Sequence, residues 1–371
     1  MRRIVIPTLE KADGRGGIGR YIDAIVSTYP DAKVVRLEDA KYPTIYRAIS
    51  PYNRDFVQFV HEVIPVGTVA WLLRKSYIIF LHGKDFDLAR RNVWKRWLTK
   101  RILRGAEAVV VNSEGLKKEV DAFVGAERVQ PILCVYPPVS DEMVEASKGT
   151  RKGKGWTDLR DLAKLAAGAI GLSITAPQPP PSKGGGATLT TLITVARLVE
   201  RKGHLKVLDA MVKLPNTKYV IVGDGPMREK IEMRVAELGL SERVTIMTDI
   251  ADEDLPTLYA DADIFVMPTT QSKTDREGFG IVYLEANLFG LPVVGTRTGG
   301  VAEAILDGKT GVLVEDATDD LVRGLQVLID SPELRSAMGS RGRVRVLEQF
   351  TREEQMGKLK EIIEASYDKR T

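Results

Sequence analysis

The chain writes one alternation twice. Short apolar runs at 3-RIVIP-7, 33-KVVRL-37, 77-YIIFL-81, 108-AVVVN-112 and 132-ILCVY-136 are separated by stretches of helical periodicity, and they break at Gly, Pro, Asn or a charge. Strand and helix in strict alternation predict parallel strands joined by crossover helices, a doubly wound α/β sheet. The same grammar restarts at 191-TLITVA-196 and continues through 218-KYVIVG-223, 243-RVTIM-247, 263-DIFVMP-268 and 291-LPVVG-295. A chain of 371 residues is also long for one core. Two α/β domains are therefore expected, at 1–140 and 188–350, with the last helix, about 351–371, packing back on the first.

Between them the composition changes. The flanks 147-SKGTRKGKGW-156 and 176-APQPPPSKGGGA-187 have linker chemistry. Within 141–187, Leu159, Leu162, Ala163, Ala166 and Ile170 share a helical face. That face fits either a small helix packed on a domain surface or a membrane or partner contact.

The single Cys134 rules out an internal disulfide framework and fits a reducing cytoplasm. His61, His82 and His204 have no ligand spacing, so no metal site is expected. No signal peptide and no spanning segment are read. The net charge of +4 hides an asymmetry: +6 over residues 1–150, +4 over 151–187 and −6 over the rest. A basic first half points to an anionic partner.

Gly14, Gly16 and Gly19 spell G-x-G-x-x-G ahead of a predicted helix at 18–27, and Glu38 stands where a ribose-binding acid of a dinucleotide site would be. Against that reading, EKAD separates the strand from the glycines. A longer glycine loop suits another phosphate or a bulky acceptor equally well.

The second domain carries a denser set. In 194-TVARLVERKGH-204, Arg197 and Lys202 follow a strand, and an arginine fork beside a lysine charge matches a diphosphate, unless both cations only decorate a solvated loop. In 277-EGFGIVYLEAN-287, Gly278, Phe279 and Gly280 open a helix whose free N–H groups can meet phosphate oxygens. Glu277 and Glu285 bracket that turn, and carboxylates beside a phosphate seek hydroxyls, as on sugar and ribose.

These residues resemble the retaining glycosyltransferases of the GT-B fold, in the group often called family 4. The likeness covers nearly the whole chain except about 145–187. It is carried by ARLVERKG, VGDGPM at 222–227, EGFGIVYLEA, PVVGTRTGGVAEAI at 292–305 and DGKTGVLVE at 307–315. Looser matches are GGIGRY at 16–21, LHGKDF at 81–86 and VVVNSEGLKKEV at 109–120. The resemblance implies two Rossmann-like domains facing each other across a cleft, and transfer of a hexosyl unit from a UDP- or GDP-sugar. Arg197 and Lys202 would bind the diphosphate and offset the leaving-group charge, with no metal required. Glu277 would hydrogen-bond the donor sugar beside the amides of Gly278, Phe279 and Gly280, and Glu285 would hold the ribose hydroxyls. Gly16, Gly17 and Gly223 would line the donor, and His82 would contact the sugar near the reacting carbon. Retention implies attack on the face from which the diphosphate leaves, a donor phosphate oxygen taking the acceptor proton.

Other candidates read differently. His61 either lines the acceptor side or is buried for structure, and His204 is expected on the surface at a helix start. Asp261 and Asp263 form D-x-D, a metal signature in another glycosyltransferase fold, but here it precedes a strand. Glu303 is expected to cap a helix. Where the family has glycine after 243–247, this chain has Thr248-Asp249, beside the expected nucleobase, and the loop at 269–276 is extended and charged. The stretch 88-LARRNVWKRWLTKRILRG-105 sets seven Arg and Lys residues around Trp94, Trp97 and Leu98. Either the tryptophans enter the core or the helix lies on an anionic membrane with a lipid-linked or glycan acceptor; nucleic acid fits poorly. A cytoplasmic enzyme of glycan biosynthesis, peripheral on the membrane, is expected. Alternatives are a GT-B sugar-nucleotide epimerase or hydrolase, a non-catalytic nucleotide-sugar-binding subunit and, more remotely, an NAD dehydrogenase.

Overall fold

A computed structural model describes residues 3–9, 17–53, 55–125, 130–149, 189–271 and 277–368. The chain divides into two compact units. Unit 1 comprises Met1–Ser140, Ser272–Ile281 and Glu348–Thr371; unit 2 comprises Asp141–Gln271 and Val282–Leu347.

Unit 1 is built on a six-stranded sheet of β1 (Arg3–Thr8), β2 (Lys33–Arg36), β3 (Phe56–Val60), β4 (Tyr77–Leu81), β5 (Ala108–Val111) and β6 (Ile132–Cys134), in the order β2-β1-β3-β4-β5-β6. Every pairing is parallel. The run YIIFL shows why so apolar a strand belongs at the centre. Tyr77, Ile79 and Leu81 enter one buried cluster with Ile102 and Val109, whereas Ile78 and Phe80 enter the opposite one with Ile4, Ile6 and Phe59. Alternate side chains leave opposite faces, so a strand covered on both sides is apolar throughout. The second cluster includes Met356, Leu359 and Ile363 of the terminal helix, Arg352–Asp368.

Unit 2 repeats the architecture with β7 (Thr190–Val195), β8 (Thr217–Val222), β9 (Val244–Met247), β10 (Ile264–Met267), β11 (Val293–Thr296) and β12 (Gly311–Val314), ordered β12-β11-β10-β7-β8-β9 and parallel throughout. That is the doubly wound order in which strand direction of travel reverses between β7 and β10. Its core packs Leu192, Ile221 and Ile264 against Val207, Leu208 and Leu325.

Two strands have no counterpart among the expected runs. β3 reads FVQFV, with Gln58 buried at its middle, and β12 is the four-residue GVLV at the edge. The basic stretch also divides: one short helix spans Lys84–Ala89, and a second, Val93–Gly105, starts afresh at Asn92, whose side chain accepts from Lys95 N at 2.9 Å. Leu98, Ile102 and Leu103 of the second helix enter the core, while Trp94 and Trp97 are 59% and 52% exposed. Gly14, Gly16, the patterned helix within 151–187 and most of the charged loop at 269–276 lie outside the described residues. No described helix is long and apolar enough to cross a membrane.

Candidate functional site

In unit 2 the expected diphosphate residues sit on the loop leaving β7, at the carboxyl end of the sheet where its winding reverses, the usual ligand position in open α/β sheets. Neighbouring loops hold it. Leu198 N donates to Asp224 O at 2.9 Å, and Thr270 N donates to Arg201 O at 2.9 Å, tying the loop to those after β8 and β10. Close approach demands glycine on both sides. A Cβ on Gly223 would lie 2.1 Å from Ala196 O, and one on Gly203, at φ +75°, would lie 2.1 Å from Pro268 O. Gly223 thus has a packing duty that supports the Arg197 loop. Arg197 is exposed and Lys202 half-buried.

His204 corrects an expectation. It starts the helix His204–Met211 but is buried, with Nδ1 3.3 Å from the Tyr219 hydroxyl, and burial pushes its pKa down to about 4. Glu285, in the helix Ile281–Leu288, is only 2% exposed, and its carboxylate accepts from the Tyr259 hydroxyl at 3.0 Å. Asp261 and Asp263 lie at the other end of the sheet, where Asp263 Oδ2 accepts from Thr191 N at 2.8 Å as β7 begins. Asp249 takes φ +56°, the left-handed conformation that glycine adopts most readily.

In unit 1, Gly17 opens the first helix, Gly17–Thr28. The strand ends carry a polar group that sequence reasoning largely missed. His61 and Glu62 follow β3, and Glu62 Oε1 accepts from Leu9 N at 2.9 Å and Thr8 Oγ1 at 3.2 Å, anchoring the chain as it enters the glycine loop. His82 follows β4. Its N–H donates to Asp85 Oδ1 at 2.9 Å, and its carbonyl accepts from Asn112 Nδ2 at 3.4 Å. Burial raises the Asp85 carboxyl to about 6 against the backbone donors that lower it, and burial lowers His82 to about 4. His61 is fully buried, and its Nδ1 lies 3.0 Å from His82 Nε2. With β3 unrecognised, nothing in the sequence placed His61 and Glu62 at a strand end beside His82.

The unit also brings His82 to the glycine turn. A Cβ on Gly278 would lie 2.9 Å from His82 O and 3.0 Å from Asn112 Nδ2, so only glycine permits this approach. Phe279 anchors the turn by burying its ring against Tyr136 and Phe350, with centroids 4.9 and 5.8 Å apart. Gly280 takes φ +81° at the helix start, and Glu277 is half-buried. His82, Gly278, Phe279 and Gly280 are thus gathered in unit 1, and Arg197, Lys202, Gly223 and Glu285 belong to unit 2.

Residues 182–345 match the family described as glycosyl transferases group 1, and residues 4–142 match glycosyltransferase family 4. The chain belongs to this glycosyltransferase family. Among the relatives of this chain is the GDP-mannose-dependent alpha-(1-6)-phosphatidylinositol monomannoside mannosyltransferase of Mycolicibacterium smegmatis, 37% identical over 46% of this chain and 47% of the relative. The chain thus spans about half the length of that relative in the match. The alpha-D-kanosaminyltransferase of Streptomyces kanamyceticus is 27% identical over 78% of this chain and 67% of its own. A solved structure of Anabaena HepE in complex with UDP and glucose has a TM-score of 0.74 at 17% identity, covering 98% of this chain and all of that one, which shows the GT-B fold.

Proposed function

We propose that this glycosyltransferase moves a hexosyl unit, mannose in the first place, from a nucleoside-diphosphate sugar to a lipid-linked or glycan acceptor. The observation that carries the reading is the loop after β7, where Arg197 and Lys202 stand at the carboxyl end of the sheet beside its reversal point. A guanidinium fork and an ammonium offset the charge that grows on a departing diphosphate, so the protein supplies cations where other transferases use a metal. GDP-mannose is the favoured donor, supported by the mannosyltransferase relative, with UDP-sugars as the alternative. Transfer proceeds with retention: the bond from the sugar's anomeric carbon to the diphosphate breaks, the acceptor oxygen bonds to that carbon on the same face, and its proton passes to a phosphate oxygen. Glu277, the Gly278–Gly280 amides and His82 hold the sugar, and Glu285 serves the ribose. The acceptor is presented by an anionic membrane on the cytoplasmic side, on which the helix Val93–Gly105 rests.

A thermal-shift panel with GDP, UDP, ADP and NAD, each with and without EDTA, tests this on the wild type and Arg197→Ala. A nucleotide at a hundredfold its Kd stabilises the folded protein by about 2.7 kcal/mol. GDP or UDP is expected to raise the midpoint with EDTA present and to lose the effect in Arg197→Ala. Stabilisation by NAD alone would return the opening glycines to a dinucleotide site, and a shift abolished by EDTA would overturn metal independence.

A further inference from the structure

Unit 1 buries two histidines edge to edge. They leave the paired strands β3 and β4, with His61 Nδ1 3.0 Å from His82 Nε2. The ring planes differ by 13° and the centroids are 5.3 Å apart. Atoms of a five-membered ring with bonds of about 1.33 Å lie about 1.1 Å from its centre. The centroid separation therefore puts both nitrogens in line between the centres, so the contact runs in the plane of the rings along their lone-pair directions. Phe80 covers the face of His61, centroids 4.7 Å apart at 21°, and Tyr21 stands T-shaped to both imidazoles while its hydroxyl donates to Val135 O at 3.1 Å. The ring of His61 is thereby held between Phe80 and Tyr21.

Burial keeps both imidazoles neutral, His82 down to about 4 and His61 well below its ordinary value. A neutral imidazole carries one N–H, so two proton placements satisfy the contact. If His82 Nε2–H donates, the proton of His61 lies on Nε2, an atom buried without a partner among the described residues. If His61 Nδ1–H donates, that same buried atom is a bare lone pair. An orphaned buried N–H is the rarer and costlier outcome. We infer that His61 is a positioning residue for sugar transfer: its Nδ1–H donates to His82 Nε2 and locks His82 in the tautomer that presents Nδ1–H to a hydroxyl oxygen of the donor sugar. The inference rests on the reading above that His82 meets that sugar. The backbone of His82, tied to Asp85 and Asn112, fixes where the ring starts, and His61 fixes its protonation.

The chain has three histidines, so long-range 1H–15N spectra of the full chain labelled with 15N-histidine resolve every ring, and His61→Asn and His82→Asn assign them. At pH 7 both His61 and His82 are expected to carry the proton on Nδ1. A His82 protonated on Nε2 overturns the inference whatever the activity. Added GDP-mannose, or UDP-glucose as second donor, is expected to move the His82 signals. The expected tautomer with no such movement sinks the donor-sugar reading of His82 instead. His61→Phe keeps an aromatic ring without a donor, whereas His61→Asn puts an amide N–H near the Nδ1 position. Release of GDP from GDP-mannose is expected to lose about tenfold or more in kcat in the Phe variant, with KM and Tm close to wild type, and to recover in the Asn variant. A folded His61→Phe with wild-type kcat overturns the proposal.

Discussion

Single residues here act through what they exclude. Gly203, Gly223 and Gly278 stand where a Cβ would strike a neighbouring backbone oxygen, and each lets one loop approach another at a strand end. His204 is the buried counterpart in unit 2. Its folded pKa of about 4 lies below the ordinary 6.5 because burial disfavours the imidazolium. The stability it contributes is therefore fully present above about pH 6.5 and is lost as pH falls towards 4, at about 1.4 kcal/mol per pH unit. His82 acts in the same direction. Asp85 opposes them, because a carboxyl raised to about 6 holds its proton better in the folded state, and that stability is lost as pH rises through 6. Urea titrations at pH 7, 5.5 and 4.5 are expected to show falling stability in the wild type and a shallower fall in His204→Asn; equal slopes would refute the assignment.

At the scale of elements, the helix Val93–Gly105 divides its labour. Leu98, Ile102 and Leu103 secure it to the core, and the outward side carries Trp94, Trp97 and Arg101, all exposed. Arg101 lies over the Trp97 ring at 5.5 Å, and Val93 is 85% exposed. Exposed tryptophans beside arginine match a membrane interface, which takes the rings while anionic headgroups meet the cation. Flotation with vesicles containing phosphatidylglycerol is expected to carry the wild type at low salt, and the Trp94→Ala/Trp97→Ala variant about tenfold less. Because both side chains are exposed, Tm should move little. Equal flotation of the two proteins would remove this helix from membrane binding.

For the molecule as a whole, each unit has its own buried core, so stability is not one quantity. Calorimetry is expected to resolve two transitions. Leu208→Ala should lower the one that GDP raises, and Ile79→Ala the other, each by about 2–5 kcal/mol. A single transition shifted alike by both variants would contradict this. Much of the architecture was legible beforehand. Ten of the strands lie on runs picked out by length and apolarity, and the cations and glycines of the second unit stand just past strand ends, where parallel sheets collect ligands. The strand β3 was not legible, because Gln58 breaks its apolar run; it nonetheless lies between β1 and β4, and Gln58 N reaches Ser76 O at 2.9 Å. The sequence by itself determined the alternation of strand and helix and the place of each charged or glycine-rich loop along it, since both depend on neighbours a few residues away. Only the tertiary structure decided that His61 lies beside His82, that Glu62 holds the start of the glycine loop, that His204 is buried and that Ser272–Ile281 groups with unit 1. Those pairings depend on which strands become neighbours after crossover, and no local pattern records that order.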